Sequence, residues 1–306
     1  MKTDAYLARL GTEQVNPAST DLDQLSGEEI AALMNRQDLK VVEAVAGAVP
    51  MIGRVIEEAA ERLKKGGRLL YCGAGTSGRL GVLFASECPP TFGVAPTLVT
   101  GVIAGGDTAL RNAIEGAEDR ADLGAADIQA QNAGPLDTVV AISASGFAPY
   151  CIGALDYARS VGSLAVSLTC NQNTQLAAHA DYAIEAPTGP EILMGSTRLR
   201  AGTATKMILN MLSTGVMIRT GRVYKNLMVD LKVSNVKLKD RAVRIIGHAT
   251  GLGPDEADAL LTQAGGKVKT AIVMHGAACS AERAESALEA AGGWVAEAIR
   301  QIQTDA

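Results

Sequence analysis

Short apolar runs alternate with longer amphipathic stretches through the middle of the chain. The apolar, β-branched runs predict buried strands at residues 68–72, 97–102, 138–143, 163–169 and 182–185. Apolar spacings of three and four predict helices at 77–87, 108–114 continuing toward Glu118, 150–161 and about 196–220. This alternation predicts an α/β fold, in which five parallel strands form a doubly wound sheet with helices on both faces.

Helical patterns also precede the predicted sheet. A polar arm turns at Asn16, before a proline, and a capping box that begins at Ser26 predicts a helix toward Asn35. A second helix is predicted from about Asp38, and a third over 51–65, where a glycine pair follows. We therefore expect three helices before the first strand.

A different pattern follows the predicted sheet. Residues 224–236 read as a connecting arm, and three or four short Ala-rich helices are predicted between about 240 and 293. We expect an N-terminal arm with helices (1–57), a sheet domain (58–221) and a connecting arm with a C-terminal helical module (222–306).

Three loops rich in glycine and hydroxyl residues open predicted helices. Two follow predicted strands directly, and free N–H groups at a helix start favour an anion. Each loop alone is more typical of a helix cap, but three at one sheet favour a phosphate-bearing ligand. The residues that we expect to bind it are Gly75, Thr76, Ser77, Ser143, Ser145, Gly146, Ser196 and Thr197.

A carboxylate, Glu87, lies one predicted helix length after the first of these loops. Pro89 and Pro90 follow it and are expected to end the helix there. Glu87 is therefore a candidate acid or base near the predicted phosphate. Cys88 could be a nucleophile, but no histidine is close in sequence, so a packed thiol is the favoured interpretation.

Composition narrows the classes of function. Among 306 residues 47% are hydrophobic and 3% aromatic, and the net charge is −5 without any basic block, so nucleic acid is not an expected partner. We expect no membrane span and no secretory leader. Five dispersed cysteines are typical of free thiols in the cytoplasm. The three histidines are far apart, so no metal is expected.

Several segments together resemble the N-acetylmuramic acid 6-phosphate etherase family, which is built on the sugar isomerase (SIS) domain. The most specific is Ala-Ser-Glu-Cys-Pro-Pro-Thr at 85–91, and Gly-Ala-Gly-Thr-Ser-Gly-Arg-Leu-Gly at 73–81 precedes it. The remaining segments are Thr12-Glu13-x-x-Asn16 and residues 103–107, 115–119, 195–203, 226–230 and 249–251. The resemblance covers essentially the whole chain.

The resemblance implies a cofactor-free lyase that cleaves the D-lactyl ether of N-acetylmuramic acid 6-phosphate. Lactate leaves across carbons 2 and 3 of the open-chain aldehyde, and water then adds. By the same resemblance, Glu87 corresponds to the proton donor and Glu118 to the second catalytic carboxylate, the base. Glu115, one helical turn away, is interpreted as a solvated or capping carboxylate.

The chain departs from the family pattern close to the expected phosphate. Phe84 replaces an aspartate found in many relatives, and Phe147-Ala148 replaces Arg-Thr in the second loop. Ser143 stands where many relatives have alanine, and could replace part of the lost contact. Substrate affinity is expected to reflect these changes, while both glutamates are retained.

Two other functions remain open from the sequence. One is a non-catalytic sugar-phosphate sensor, and the other is an aldose–ketose isomerase with a carboxylate base. In each case the partner is a small sugar phosphate. We also expect a homodimer with active sites near the subunit boundary, covered by C-terminal helices that include Trp294.

Overall fold

A five-stranded parallel sheet forms the centre of the fold, as predicted. The computed structural model describes residues 6–233 and 235–305. The strands are β1 (Leu69–Gly73), β2 (Val99–Ile103), β3 (Thr138–Ser143), β4 (Leu164–Thr169) and β5 (Tyr182–Glu185). Their order across the sheet is β2-β1-β3-β4-β5, and every neighbouring pair is parallel. The α/β prediction is therefore confirmed.

The central strands are apolar because both faces of the sheet are covered. Every residue of β1, β3 and β4 is buried. Aliphatic and alanine side chains dominate the core around them, as the low aromatic content requires. Uninterrupted apolar strands of this kind need packing on both sides, which helical crossovers provide.

Helices account for most of the remaining described chain. They are α1 (Gly27–Lys64), α2 (Gly75–Phe92), α3 (Ala121–Ala130), α4 (Pro149–Ser160), α5 (Arg200–Arg219), α6 (Val236–Thr250), α7 (Pro254–Gln263), α8 (Val268–Ala277), α9 (Ala281–Ala290) and α10 (Val295–Thr304). No helix within the described residues is both long and apolar enough to cross a lipid bilayer.

The three predicted N-terminal helices are in fact one. Helix α1 runs for 38 residues, starts at the predicted Ser26 capping box and passes through Pro50. Its buried stripe, which includes Val41, Val45 and Ile52, continues on both sides of the proline. Continuous burial of one face can offset the backbone hydrogen bond that a proline removes, so the predicted interruptions were wrong.

Helix α2 also extends beyond its predicted end. It continues past Glu87 through Pro89 and Pro90 to Phe92. The amide of Gly93 donates to the carbonyl of Pro89 (3.0 Å), which closes the last turn. Each proline lacks an amide hydrogen, so this turn loses the backbone bonds that those amides would donate, and the bond from Gly93 to Pro89 closes it.

The segment after β2 differs most from the prediction. The predicted helix at 108–114 is replaced by two short 3-10 turns, Asp107–Leu110 and Ala117–Asp119. Left-handed backbone at Gly116 separates them (φ 72°). Helix α3, which follows, was not predicted. Toward the C-terminus four helices, α6–α9, lie in the range where three or four were predicted, and a further helix, α10, follows it.

The chain divides into two compact units. The first comprises Met1–Ser86 with Thr97–Ser213 and holds the sheet. The second comprises Glu87–Pro96 with Thr214–Ala306, and its helices enclose a separate aliphatic core. The three-part division expected from the sequence stays a prediction.

Within the second unit a buried lysine joins two segments. Lys269 Nζ donates to the Gly221 carbonyl (2.8 Å) and to Asp230 Oδ2 (2.6 Å). Burial lowers the pKa of Lys269, and Asp230 partly opposes that effect. The lysine therefore fixes the arm that the sequence places before α6.

Candidate functional site

A cavity of about 300 Å³ lies at the carboxyl ends of the strands. Strand order reverses beside β1, so the loops after β1 and β3 diverge there and leave a crevice between them. Both loops contribute to the wall. The lining residues are Glu13, Ala74, Gly75, Thr76, Ser77, Leu80, Glu118, Ile142, Ser143, Ala144, Ser145, Ala148, Thr197, Gly202 and Thr205.

The turn from β1 into α2 needs glycine at two close approaches. A Cβ at Gly73 would lie 2.8 Å from the Ile142 carbonyl oxygen, and one at Gly78 would collide with the Gly73 carbonyl. Helix α2 can therefore begin immediately after the strand, at Gly75. Thr76 and Ser77 lie in its first turn, where backbone N–H groups have no partner within the helix. This wall of the cavity suits an anion.

The loop after β3 presents two serine hydroxyls to the same cavity. Ser143 Oγ accepts from the Gly146 amide (3.1 Å), and Ser145 Oγ accepts from the Phe147 amide (3.2 Å). The two hydroxyl oxygens are 3.4 Å apart. Gly146 is not among the lining residues, but it shapes the loop. Its φ is 74°, and Thr174 occupies the position where a Cβ would lie.

The third predicted loop contributes through Thr197, whereas Ser196 is not among the lining residues. A buried carboxylate, Glu191, fixes this loop by accepting from the Arg200 and Ala201 amides, each at 2.9 Å. The Arg200 guanidinium donates to the carbonyls of Pro190 and Thr188. Glu191 and Arg200 therefore hold the start of α5 in place.

Glu118 brings a carboxylate to the cavity. It lies in the 3-10 turn after β2 and borders both this cavity and a smaller one of about 170 Å³. Its side chain remains accessible to solvent. Partial burial of the carboxylate raises the pKa of Glu118, and the charges of Asp119 and Glu115 add to that effect. Glu115 lines only the smaller cavity.

Glu87 is not among the lining residues. It is an exposed residue of α2, ten positions after Ser77, which is about 15 Å along the helix axis. Thr76, Leu80, Leu83 and Glu87 follow one another on one face of the helix. The structure thus brings Glu118 together with the hydroxyl loops but leaves Glu87 outside the cavity.

Neither aromatic departure from the family pattern lines the cavity. Phe84 is a buried residue of α2. The Phe147 ring packs against Tyr6 with centroids 6.1 Å apart. Cys88 is also buried, and burial raises the pKa of its thiol to about 11 with a further contribution from Glu87, which does not suit a nucleophile.

Among the lining residues that were given no role from the sequence, Glu13 is the charged one. Glu13 of the N-terminal arm reaches the cavity that Glu118 borders. The sequence feature that could have identified it is the segment Thr12-Glu13-x-x-Asn16, which resembles the family but was assigned no function. Across residues 6–233 and 235–305, no group of three or more His, Cys, Asp or Glu side chains could hold a metal ion.

Comparisons with known proteins place these features in a family. The model of the SIS domain matches residues 122–215, and that of the glucokinase regulatory protein N-terminal SIS domain matches residues 51–159. An N-acetylmuramic acid 6-phosphate etherase from Caldanaerobacter subterraneus is 51% identical over 294 residues, 96% of each chain. One from an Exiguobacterium species is 50% identical over 293 residues, 96% of this chain and all of that protein. A phosphoheptose isomerase structure from Francisella tularensis aligns over 62% of this chain and 97% of that one, with 17% identity and a TM-score of 0.47.

Proposed function

The chain belongs to the N-acetylmuramic acid 6-phosphate etherase family, and on that premise we propose how its cavity performs the reaction. It is a lyase that cleaves the D-lactyl ether of N-acetylmuramic acid 6-phosphate to N-acetylglucosamine 6-phosphate and D-lactate, in amino-sugar recycling. The observation that carries this conclusion is identity of about 50% with etherases over 96% of the chain. The isomerase and sensor alternatives are not favoured.

The 6-phosphate binds where the loops after β1 and β3 meet. Ser77 and Ser145 donate hydroxyl hydrogen bonds, and the first turn of α2 adds backbone N–H groups and a favourable helix dipole. Thr197 lines the same cavity from the third loop. Fixing the phosphate holds the sugar in place while its ring opens, so the reacting carbons stay oriented.

Glu118 removes the proton from carbon 2, which the adjacent aldehyde acidifies. A carboxylate is a weak base, and it works best when its pKa approaches the operating pH. Partial burial and two neighbouring carboxylates raise the pKa of Glu118, in agreement with this role. Its position in the wall of the same cavity as Ser77 and Ser145 supports this role.

Glu87 donates the proton to the departing lactate oxygen, and we assign it to the site of a neighbouring copy. Glu87 is exposed on α2 and is not among the residues that line the cavity of its own chain, which supports this assignment. Helix α1 offers a surface for such a dimer, because Leu39, Val42 and Val49 are 67%, 56% and 49% exposed on one face. Closed two-fold dimers are the commonest soluble oligomers.

The enzyme is proposed to work in the cytoplasm. Cys72, Cys88, Cys151 and Cys170 are buried free thiols, and Cys279 is a partly buried one. Unpaired cysteines of this kind are typical of a reducing compartment.

The activity is tested by D-lactate release from N-acetylmuramic acid 6-phosphate. The purified protein should release lactate from the phosphorylated sugar and far less from unphosphorylated N-acetylmuramic acid, because the phosphate supplies the anchor. Interconversion of an aldose phosphate with its ketose, without lactate, would indicate an isomerase. Tight binding of the substrate without any turnover would indicate a sensor.

A further inference from the structure

The N-terminal arm is tied to the cavity by a reciprocal pair of hydrogen bonds. The Thr12 amide donates to Asn171 Oδ1 (3.3 Å), and Asn171 Nδ2 donates to Thr12 Oγ1 (3.0 Å). The same Nδ2 lies 3.1 Å from the Ala144 carbonyl in the loop that presents Ser145. Thr12 is fully buried. These hydrogen bonds therefore fix the arm to the wall of the cavity.

A second tether holds the arm four residues later. Asn16 is 5% exposed, and its Nδ2 donates to the Pro190 carbonyl (3.3 Å). Its Oδ1 accepts from the Ala18 amide (3.0 Å). Glu13 lies between the two tethers, so its backbone position is defined from both sides.

The Glu13 carboxylate has few hydrogen-bond partners among the described residues. Among the described contacts its carboxylate accepts only from the Thr12 hydroxyl, at 3.4 Å. Gly195 approaches it closely, since an added Cβ there would lie 4.0 Å from Glu13 Oε2. Among the described residues, the carboxylates that line the cavity are those of Glu13 and Glu118, and no histidine is among them. They reach it from different segments, one from the arm and one from the turn after β2.

The reaction contains a step that neither proposed glutamate performs. A hexose phosphate is stored as a ring, while elimination requires the open aldehyde. Ring opening removes the proton from the anomeric hydroxyl as a carbonyl forms at carbon 1. The bond from carbon 1 to the ring oxygen breaks, its electron pair stays on that oxygen, and the oxygen takes a proton. A single carboxylate can accept the first proton and return it to the ring oxygen.

We infer that Glu13 is a further catalytic residue, which opens the sugar ring by moving this proton. The inference rests on the proposed function, because it assigns a step of that reaction to the same cavity. Each carboxylate in the cavity then has its own role, since Glu13 acts at carbon 1 and the ring oxygen while Glu118 acts at carbon 2. Thr12 and Asn16 are positioning residues for Glu13.

The test measures ring opening apart from elimination. N-Acetylglucosamine 6-phosphate has no lactyl group, so enzyme-catalysed exchange between its α and β anomers reports ring opening alone, and NMR exchange spectroscopy measures it. Glu13→Gln should slow this exchange by ~10²-fold or more and should slow lactate release with it. Glu118→Gln should keep anomer exchange and lose lactate release. Glu13→Asp, which retains a carboxylate, should recover part of both.

A matched control is Glu58→Gln, an exposed carboxylate on α1 that should leave both rates unchanged. Circular dichroism and the melting temperature check that each variant is folded. Anomer exchange at the wild-type rate in Glu13→Gln, or loss of exchange in Glu118→Gln alone, would overturn the inference. So would a wild-type enzyme that releases lactate without catalysing exchange. Absence of lactate release from the wild type would instead contradict the proposed function.

Discussion

Identical side chains in the first unit have different roles because their surroundings differ. Glu191 is buried and accepts two backbone amides, so it fixes the start of α5. Glu118 borders the cavity with a raised pKa. Glu115, three residues earlier, lines only the smaller cavity and contributes charge. Position relative to the cavity, rather than residue type, separates the candidate base from carboxylates with structural roles.

The raised pKa of Glu118 predicts the pH dependence of the reaction. A base must be deprotonated to act, so kcat/KM should fall as the pH drops through the pKa of Glu118, above the ordinary glutamate value of about 4.3. Glu115→Gln removes one charge that raises this pKa, so the acid limb should move to lower pH. A pH–rate profile measures both. If the acid limb of Glu115→Gln lies at the wild-type pH, a group other than Glu118 controls the rate there.

The serine hydroxyls predict the affinity for phosphate. Ser77→Ala and Ser145→Ala should each weaken binding of N-acetylglucosamine 6-phosphate by about 1–3 kcal/mol, since each removes a hydrogen bond to a charged group. Ser160→Ala, at an exposed position at the end of α4, is the control. Titration calorimetry provides the affinities. Unchanged affinity in both variants would indicate that the phosphate binds at the loop of Ser196 and Thr197 instead.

At the scale of elements, the central strands were predictable because burial on both faces makes them largely apolar. The predicted strand at 138–143 coincides with β3, and the hydroxyl loops follow from where strands end. Helix limits were less predictable. The sequence predicted separate helices before residue 65 and an end at Glu87, but α1 continues through Pro50 along one buried stripe, and α2 continues through Pro89 to Phe92.

The candidate site was predictable only where it follows the strands. Residues in the loops after β1 and β3 could be placed because parallel strands end at one edge of the sheet. Glu13 could not be placed, because the contact that positions it joins its neighbour Thr12 to Asn171, which is 159 residues away in the sequence. Nothing in local sequence encodes so distant a contact. The exposure of Glu87 likewise depends on how α2 packs.

Loop geometry predicts a stability difference between two glycine substitutions. Gly146→Ala should destabilise the fold by on the order of 1–2 kcal/mol or more, because φ is 74° and Thr174 occupies the Cβ position. Gly47→Ala lies on an exposed face of α1 with open space around it, and should stabilise by about 0.5–1 kcal/mol. Denaturant unfolding measures both. Equal stabilities would show that the loop does not need its left-handed residue.

At the scale of the whole molecule, our proposal is that the site is completed by a second chain. Glu118 lines a cavity of its own chain, while Glu87 is exposed on α2. The exposed apolar face of α1 provides surface for a second copy. Sedimentation should therefore give a mass near twice 31.6 kDa at micromolar concentration. A monomer under those conditions would contradict the shared site.

Mixing two inactive variants tests whether the site is shared. In a mixed dimer of Glu87→Gln and Glu118→Gln chains, one site contains both intact glutamates and the other contains neither. Random re-association should restore about one quarter of wild-type lactate release, because half of the dimers are mixed. Each variant unfolded and refolded alone is the control. No restoration in dimers shown to be mixed would place Glu87 in the site of its own chain.

The most direct measurement of the central claim is deuterium incorporation at carbon 2 during turnover in deuterium oxide. The wild type should form N-acetylglucosamine 6-phosphate that carries deuterium there, because elimination removes that proton and the solvent replaces it. Glu118→Gln should lose both exchange and lactate release, by ~10²–10⁴-fold or more, while Glu87→Gln should retain some exchange without lactate release. Exchange at the wild-type rate in Glu118→Gln would contradict the account and place the base elsewhere.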